Sequence, residues 1–116
     1  MDEQEYKERL QAFKSSCRVY KQEKAFLEDV ARKNSNADKK LISFFREDVE
    51  SVDRTFSLIK ELCGTSAALM VWLLYVEEKT QAAAAYQLNI TRRQLQYSFS
   101  QYMHKVFEEE CVRGTR

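Results

Sequence analysis

The side chains best suited to chemistry lie in one acid-free stretch, residues 79–107. Elsewhere acids and bases are interspersed, and the chain as a whole has a formal net charge of +1. Arginine can bond to guanine O6 and N7 or hold a phosphate, and glutamine can read adenine N6 and N7. The stretch is therefore typical of a surface that faces a polyanion. Its charged residues are Lys79, Arg92, Arg93 and Lys105.

The sequence carries no motif of a catalytic site. It has no glycine-rich phosphate loop, no nucleophile elbow, no HExxH pair and no paired-carboxylate signature. The single histidine, His104, has no catalytic partner near it in sequence, and scattered cysteines do not complete a metal set with it. We therefore expect neither an enzyme nor a cofactor or metal site.

Cysteine usage and hydropathy indicate a reduced, aqueous compartment. Cys17, Cys63 and Cys111 are widely spaced and form no CxxC pair. The longest apolar run, residues 67–76, is shorter than the about 20 residues that a membrane span requires. The acidic, polar start of the sequence is unlike a signal peptide. These features favour the cytoplasm and predict no membrane partner.

Helices must position the candidate residues, because residues that form tight turns are scarce. The 116 residues include no proline and only two glycines, Gly64 and Gly114. Sheets need many tight turns, and those turns need Gly and Pro. The content of 44% hydrophobic and 32% charged residues is globular rather than disordered. We predict an all-α protein in which a long helical hairpin, residues 1–63, packs as one domain with a three-helix unit, residues 64–116.

The first half of the chain predicts two amphipathic helices. The first, over residues 2–33, has a heptad-type seam that Lys24 interrupts. A break at residues 34–36 precedes the second helix, where Asp38 would lie in the first turn and Gly64 would be a left-handed C-cap. The seam of the first helix consists of Tyr6, Leu10, Phe13, Cys17, Tyr20 and Leu27. The stripe of the second consists of Leu41, Phe44, Phe45, Val49, Val52, Phe56, Leu58, Ile59, Leu62 and Cys63.

These two stripes favour an intramolecular antiparallel hairpin. The same seam on the first helix could instead pair two chains in a coiled coil, so a homodimer stays open as an alternative. A third helix, at residues 67–78, is apolar on nearly every side and is expected to be buried, with Thr65 or Ser66 as its N-cap.

The last two predicted helices have the spacing of a helix-turn-helix. Thr80 can cap a short helix at residues 81–88, in which Ala85 is the small residue where a second helix crosses. Asn89 suits a left-handed turn position, and an apolar plug, Ile90, follows it. Thr91 can then cap a final helix that extends to about residue 111, with Leu95 pointing back into the core.

The N-terminal part of this final helix would enter the major groove of duplex DNA. Near the start of the preceding helix, Thr80 and Gln81, with Lys79, are suited to phosphate. The residues that would face outward on the final helix are Thr91, Arg92, Arg93, Gln96, Tyr97 and Ser100.

Residues 62–107 resemble the region-4-like helix-turn-helix of the sigma-70 class, especially small regulators of phages and mobile elements. The residues that carry the resemblance are WLLYVEEKTQ at 72–81, Ala85, and LNITRRQL at 88–95. The sequence departs from that pattern in Asn89, where Gly is usual, in the plain alanine run at 82–85, and in the polar Ser98. The resemblance implies DNA binding in transcription regulation. It covers the C-terminal part only, and no counterpart of a sigma factor's −10-binding region is present.

Together these features predict a sequence-specific protein that binds double-stranded DNA as a small transcriptional regulator. Its N-terminal helices would dimerise or contact another protein such as RNA polymerase. Two alternatives stay open. One is a helical adaptor that docks a protein, for which the modest net charge argues. The other is a phage-type packaging subunit, which would form a ring-like oligomer.

Overall fold

The computed structural model describes residues 1–33 and 38–114, and these residues fold into helices without a strand. The prediction of an all-α protein is therefore confirmed. A π-helical turn, Trp72–Val76, continues the third helix. The helices are α1 (Glu3–Lys33), α2 (Lys39–Cys63), α3 (Thr65–Val71), α4 (Gln81–Leu88) and α5 (Arg92–Arg113). No helix in the described part of the chain is long and apolar enough to cross a bilayer.

The first two helices lie side by side and antiparallel. The ring of Phe13 lies 5.6 Å from that of Phe56, and further along α1 the ring of Phe26 lies 5.3 Å from that of Phe45. The seam of α1 faces inward, since its residues Tyr6, Phe13, Cys17 and Tyr20 are all buried. The seam is thus covered by the other helices of the same chain, as the prediction of an intramolecular hairpin expects.

The connection between α1 and α2 corrects two predictions. The predicted break at residues 34–36 lies outside the described residues. Asp38 does not lie in the first turn of α2 but is its N-cap, where its Oδ1 accepts a hydrogen bond from the N–H of Lys40 at 2.9 Å. Leu41 and Phe44 were expected in the inner stripe, yet they are 40% and 62% exposed. No residue of α2 before Val49 is buried. Leu41 and Phe44 therefore lie beyond the part of α2 that the other helices cover.

The junction between α2 and α3 is tighter than the sequence predicts. Gly64 has φ 100° and ψ 169°, so its φ is positive but it is not the left-handed helical cap expected. Helix α3 begins at the next residue, Thr65, with Gly64 as an N-cap that has no side chain to contribute. The prediction that Thr65 or Ser66 caps this helix is therefore wrong. An extended ψ at a positive φ redirects the chain within one residue, and glycine tolerates this conformation.

The second half of the predicted third helix widens into the π-helical turn. Glu77 donates its N–H to the carbonyl of Trp72 at 2.9 Å, and the helix ends as Glu78 takes φ 54°. Two rings of this turn pack on the hairpin: Trp72 lies 5.7 Å from Tyr20, and Tyr75 lies 5.9 Å from Phe13. The turn therefore ties α3 to α1.

Two apolar cores hold the molecule together, and α5 contributes to both. The larger core joins the hairpin to α3, the π-helical turn and the C-terminal half of α5, and the smaller core joins α3, the π-helical turn, α4 and the start of α5. Phe99 and Tyr102 of α5 pack against both cores. The hairpin and the three-helix unit are thus joined through α5 together with α3 and the π-helical turn.

Candidate nucleic-acid interface

The short helix α4 is built to let another helix cross closely. Thr80 begins it, with its Oγ1 accepting from the N–H of Ala83 at 3.1 Å. Ala84 and Ala85 are 0% and 3% exposed and belong to the smaller core together with Leu95 of α5. Because alanine carries a single methyl group, α5 can approach the backbone of α4 at this point.

The turn after α4 has the predicted backbone. Asn89 adopts φ 60° and ψ 43°, which is the left-handed helical conformation. Ile90 follows, donates its N–H to the carbonyl of Ala85 at 3.0 Å and packs against the smaller core. Asparagine tolerates this conformation better than most residues with a side chain. The predictions for the turn are thus confirmed at both positions.

Helix α5 begins with a capping box. The Oγ1 of Thr91 accepts from the N–H of Gln94 at 3.0 Å, and the Oε1 of Gln94 accepts from the N–H of Thr91 at 2.9 Å. One turn into the helix, Leu95 is 1% exposed. The reciprocal cap and the buried leucine fix both the start of α5 and its rotation.

The predicted site residues on the first turns of α5 meet those of α4. Arg92, Arg93 and Gln96 are exposed at the start of α5. The Oε1 of Gln81 accepts from Nε of Arg92 at 3.2 Å and from Nε2 of Gln96 at 2.6 Å. A polar cluster, consisting of Gln81, Arg92 and Gln96, therefore bridges the beginnings of the two helices. Arg93 and Thr80 are exposed beside it.

Two further predicted residues lie one and two turns along α5. Tyr97 is 66% exposed, and its hydroxyl accepts from Nε2 of Gln101 at 3.0 Å. Ser100 was expected to face outward with the others but is half-buried: its Oγ lies 3.4 Å from Nδ1 of His104, whose ring stacks on Tyr6 at 3.6 Å. Ser100 therefore sits where α5 meets α1, because α1 covers this side of the helix.

Two basic residues of α1 pair with the two glutamates that precede α4. The sequence did not predict these ion pairs. Nζ of Lys21 lies 2.7 Å from Oε2 of Glu77, and Nε of Arg18 lies 3.4 Å from Oε1 of Glu78. Hydrogen bonds from Lys21 and from the indole of Trp72 lower the pKa of Glu77. These pairs are distant in sequence, so no local pattern could reveal them. They balance the two carboxylates that immediately precede the acid-free stretch.

Side chains that could form other kinds of site are dispersed. Within residues 1–33 and 38–114, no group of three or more His, Cys, Asp or Glu side chains is placed to hold a metal ion. Burial raises the pKa of the Cys17 thiol to about 12, which keeps that thiol protonated. Neither finding concerns the polar cluster of Gln81, Arg92 and Gln96 at the beginnings of α4 and α5.

Comparison with known proteins gives no further assignment. Neither protein-family models, nor curated proteins, nor solved structures match this chain. The resemblance to region 4 of sigma-70 proteins therefore rests on the residues themselves and stays a prediction.

Proposed function

We propose that this protein binds double-stranded DNA, with the N-terminal half of α5 in the major groove. One observation carries the proposal: a helix pair with a left-handed turn at Asn89 and a capped second helix leaves Arg92, Arg93 and Gln96 exposed at the start of that helix. The first turns of the second helix are the part that reads base edges in a helix-turn-helix.

The roles of the exposed residues follow from their chemistry. An arginine of α5 can bond to guanine or hold a phosphate, and Gln96 can bond to adenine. Gln81 already holds Arg92 and Gln96 by hydrogen bonds, which limits their conformational freedom before DNA binds. Thr80 and Lys79 at the start of α4 are suited to a backbone phosphate.

We propose further that the protein is a small transcriptional regulator of the sigma region 4-like type. In this proposal the protein acts in the cytoplasm of a cell that hosts a phage or mobile element, and other proteins such as RNA polymerase contact its N-terminal helices. That assignment rests on the resemblance of residues 62–107. DNA binding rests on the geometry and can be tested separately.

A protein-docking adaptor is the second candidate, and exposed aromatic side chains favour it. Tyr86 on α4 is 88% exposed and Tyr97 on α5 is 66% exposed. Tyrosine is enriched in protein interfaces because it offers apolar area and a hydroxyl together. The net charge of +1 is also low for a DNA-binding domain.

Fluorescence anisotropy of labelled duplex DNA over a series of salt concentrations distinguishes the two candidates. We expect wild-type protein to bind with an affinity that falls steeply with salt. The Arg92→Ala/Arg93→Ala variant should bind more weakly. The slope of log K against log salt should shrink by about 1.8 if both arginines meet a phosphate, at about 0.9 per phosphate.

The matched control is Arg46→Ala/Arg54→Ala, which removes two exposed arginines of α2 and the same charge. It should bind DNA nearly as wild type does. Equal losses in both variants would mean that net charge alone attracts the DNA. An absence of wild-type binding at low salt would contradict the proposal and favour the adaptor.

A further inference from the structure

The end of the hairpin remote from α5 carries a third group of apolar side chains that belongs to neither core. Along the described residues, α1 has no buried position after Glu23 and α2 has none before Val49. Phe44 and Leu41 are 62% and 40% exposed there, and the rest of the group is half-buried. We call this group the tip patch. It consists of Phe26, Val30, Leu41, Ile42, Phe44 and Phe45.

Two helices alone cannot cover this patch. Phe26 packs edge-on against Phe45 at 5.3 Å, which uses the facing sides of α1 and α2. The ring of Phe44 lies 6.1 Å from that of Phe45 but on the outer side, where most of its surface meets solvent. Large apolar side chains that lie exposed among charged residues, as Leu41 and Phe44 do, are typical of a surface that binds a protein.

On the exposed face of the first turns of α2, the apolar side chains lie between a basic and an acidic residue. Lys40, Leu41, Phe44 and Glu47 follow one another at helical spacing, and all four are exposed. Lys40 lies four residues before Phe44 and Glu47 three residues after it. A face with a base at one end, an acid at the other and apolar residues between is complementary to a copy of itself turned end to end.

We propose that a second copy of this chain covers the tip patch, with the two α2 helices antiparallel and Phe44 near the two-fold axis. Lys40 of each copy then lies opposite Glu47 of the other. The four helices of the two hairpin ends form a short bundle, which buries apolar faces that each hairpin leaves open. Its short length gives an interface at the lower end of specific ones, below about 1,200 Å² in total, so the dimer is reversible.

The proposal does not rest on the proposed DNA binding, and its test uses no DNA. Sedimentation equilibrium at increasing protein concentration should show the mass rising from the 13.7 kDa of one chain towards twice that value. Phe44→Ser should raise the dissociation constant of the dimer by about tenfold or more, as loss of a central aromatic contact does. Val112→Ser is the matched control, since Val112 is 82% exposed on α5, away from the tip patch, and this variant should associate as wild type does.

A charge exchange tests the antiparallel arrangement itself. Lys40→Glu and Glu47→Lys each place like charges together at both symmetry-related contacts, so each should weaken the dimer. The double variant Lys40→Glu/Glu47→Lys restores opposite charges and should associate more tightly than either single variant. Because both residues are exposed, the monomer should stay folded, which circular dichroism checks.

Three results would overturn the proposal. The first is a wild-type chain that stays monomeric at every concentration, which would leave the tip patch to a different protein. The second is a Phe44→Ser variant that associates as tightly as wild type. The third is a double charge exchange that is no tighter than its single variants.

Discussion

A buried carboxyl group between the hairpin helices should make the protein less stable as the pH rises towards neutrality. Glu23 of α1 is 7% exposed, and its Oε1 has no hydrogen-bond partner among the described residues. Asp48 of α2 lies beside it and accepts from the hydroxyl of Ser16 at 2.8 Å. Burial, and then the neighbouring Asp48, raise the pKa of Glu23 to about 7.

The sign and size of the effect follow from this pKa. In the unfolded chain Glu23 ionises near its ordinary value of 4.5, whereas the folded protein keeps the proton until about pH 7. The folded state therefore binds more protons between these values, and the free energy of unfolding falls as the pH rises through this window. The gap between 4.5 and about 7 corresponds to at most about 3.5 kcal/mol, at about 1.4 kcal/mol per pH unit.

The variant Glu23→Gln removes the charge but keeps the shape and supplies an amide that can donate to Asp48. We expect it to raise the free energy of unfolding by about 1–3 kcal/mol at about pH 8 and to change it little near pH 4.5. Urea unfolding followed by circular dichroism measures this at several pH values. Glu50→Gln, an exposed residue of α2, is the control and should follow wild type. A Glu23→Gln variant that parallels wild type throughout the window would refute the reasoning.

Two further predictions concern α4, α5 and the turn between them. Leu95→Ala should lower the free energy of unfolding by about 2.5–5 kcal/mol, because Leu95 is 1% exposed in the smaller core. Denaturant titration measures this loss, and a loss below about 1 kcal/mol would contradict the prediction. At Asn89, where φ is 60°, replacement by Ala should cost about 1 kcal/mol and replacement by Gly should be nearly neutral. Equal thermal stability of these two variants would argue against backbone strain at this turn.

The parts of the molecule that the sequence predicts are those fixed by neighbouring residues. The caps at Thr80 and Thr91 and the left-handed turn at Asn89 depend on hydrogen bonds and dihedral angles within a few residues. Their residue types therefore carry enough information. The same holds for the seam of α1, whose spacing decides which face of the helix is apolar.

The parts that the sequence does not predict depend on which elements meet in space. Lys21 and Glu77 are 56 residues apart, and their ion pair exists because the π-helical turn packs on α1. Ser100 faces α1 rather than solvent for the same kind of reason. The exposure of Phe44 follows from where the other helices stop covering the hairpin, and a local stripe cannot show that.

In the proposed function, the hairpin determines how α5 is presented to DNA. The C-terminal half of α5 is anchored in the larger core by Met103, Val106 and Phe107, which are 0%, 0% and 2% exposed. Tilting α5 as a whole would pull these side chains out of the close-packed larger core. The hairpin therefore holds the recognition helix at a fixed angle, and through Lys21 it also neutralises Glu77 beside α4. Substitutions that loosen the hairpin should then weaken DNA binding even where they lie far from any base.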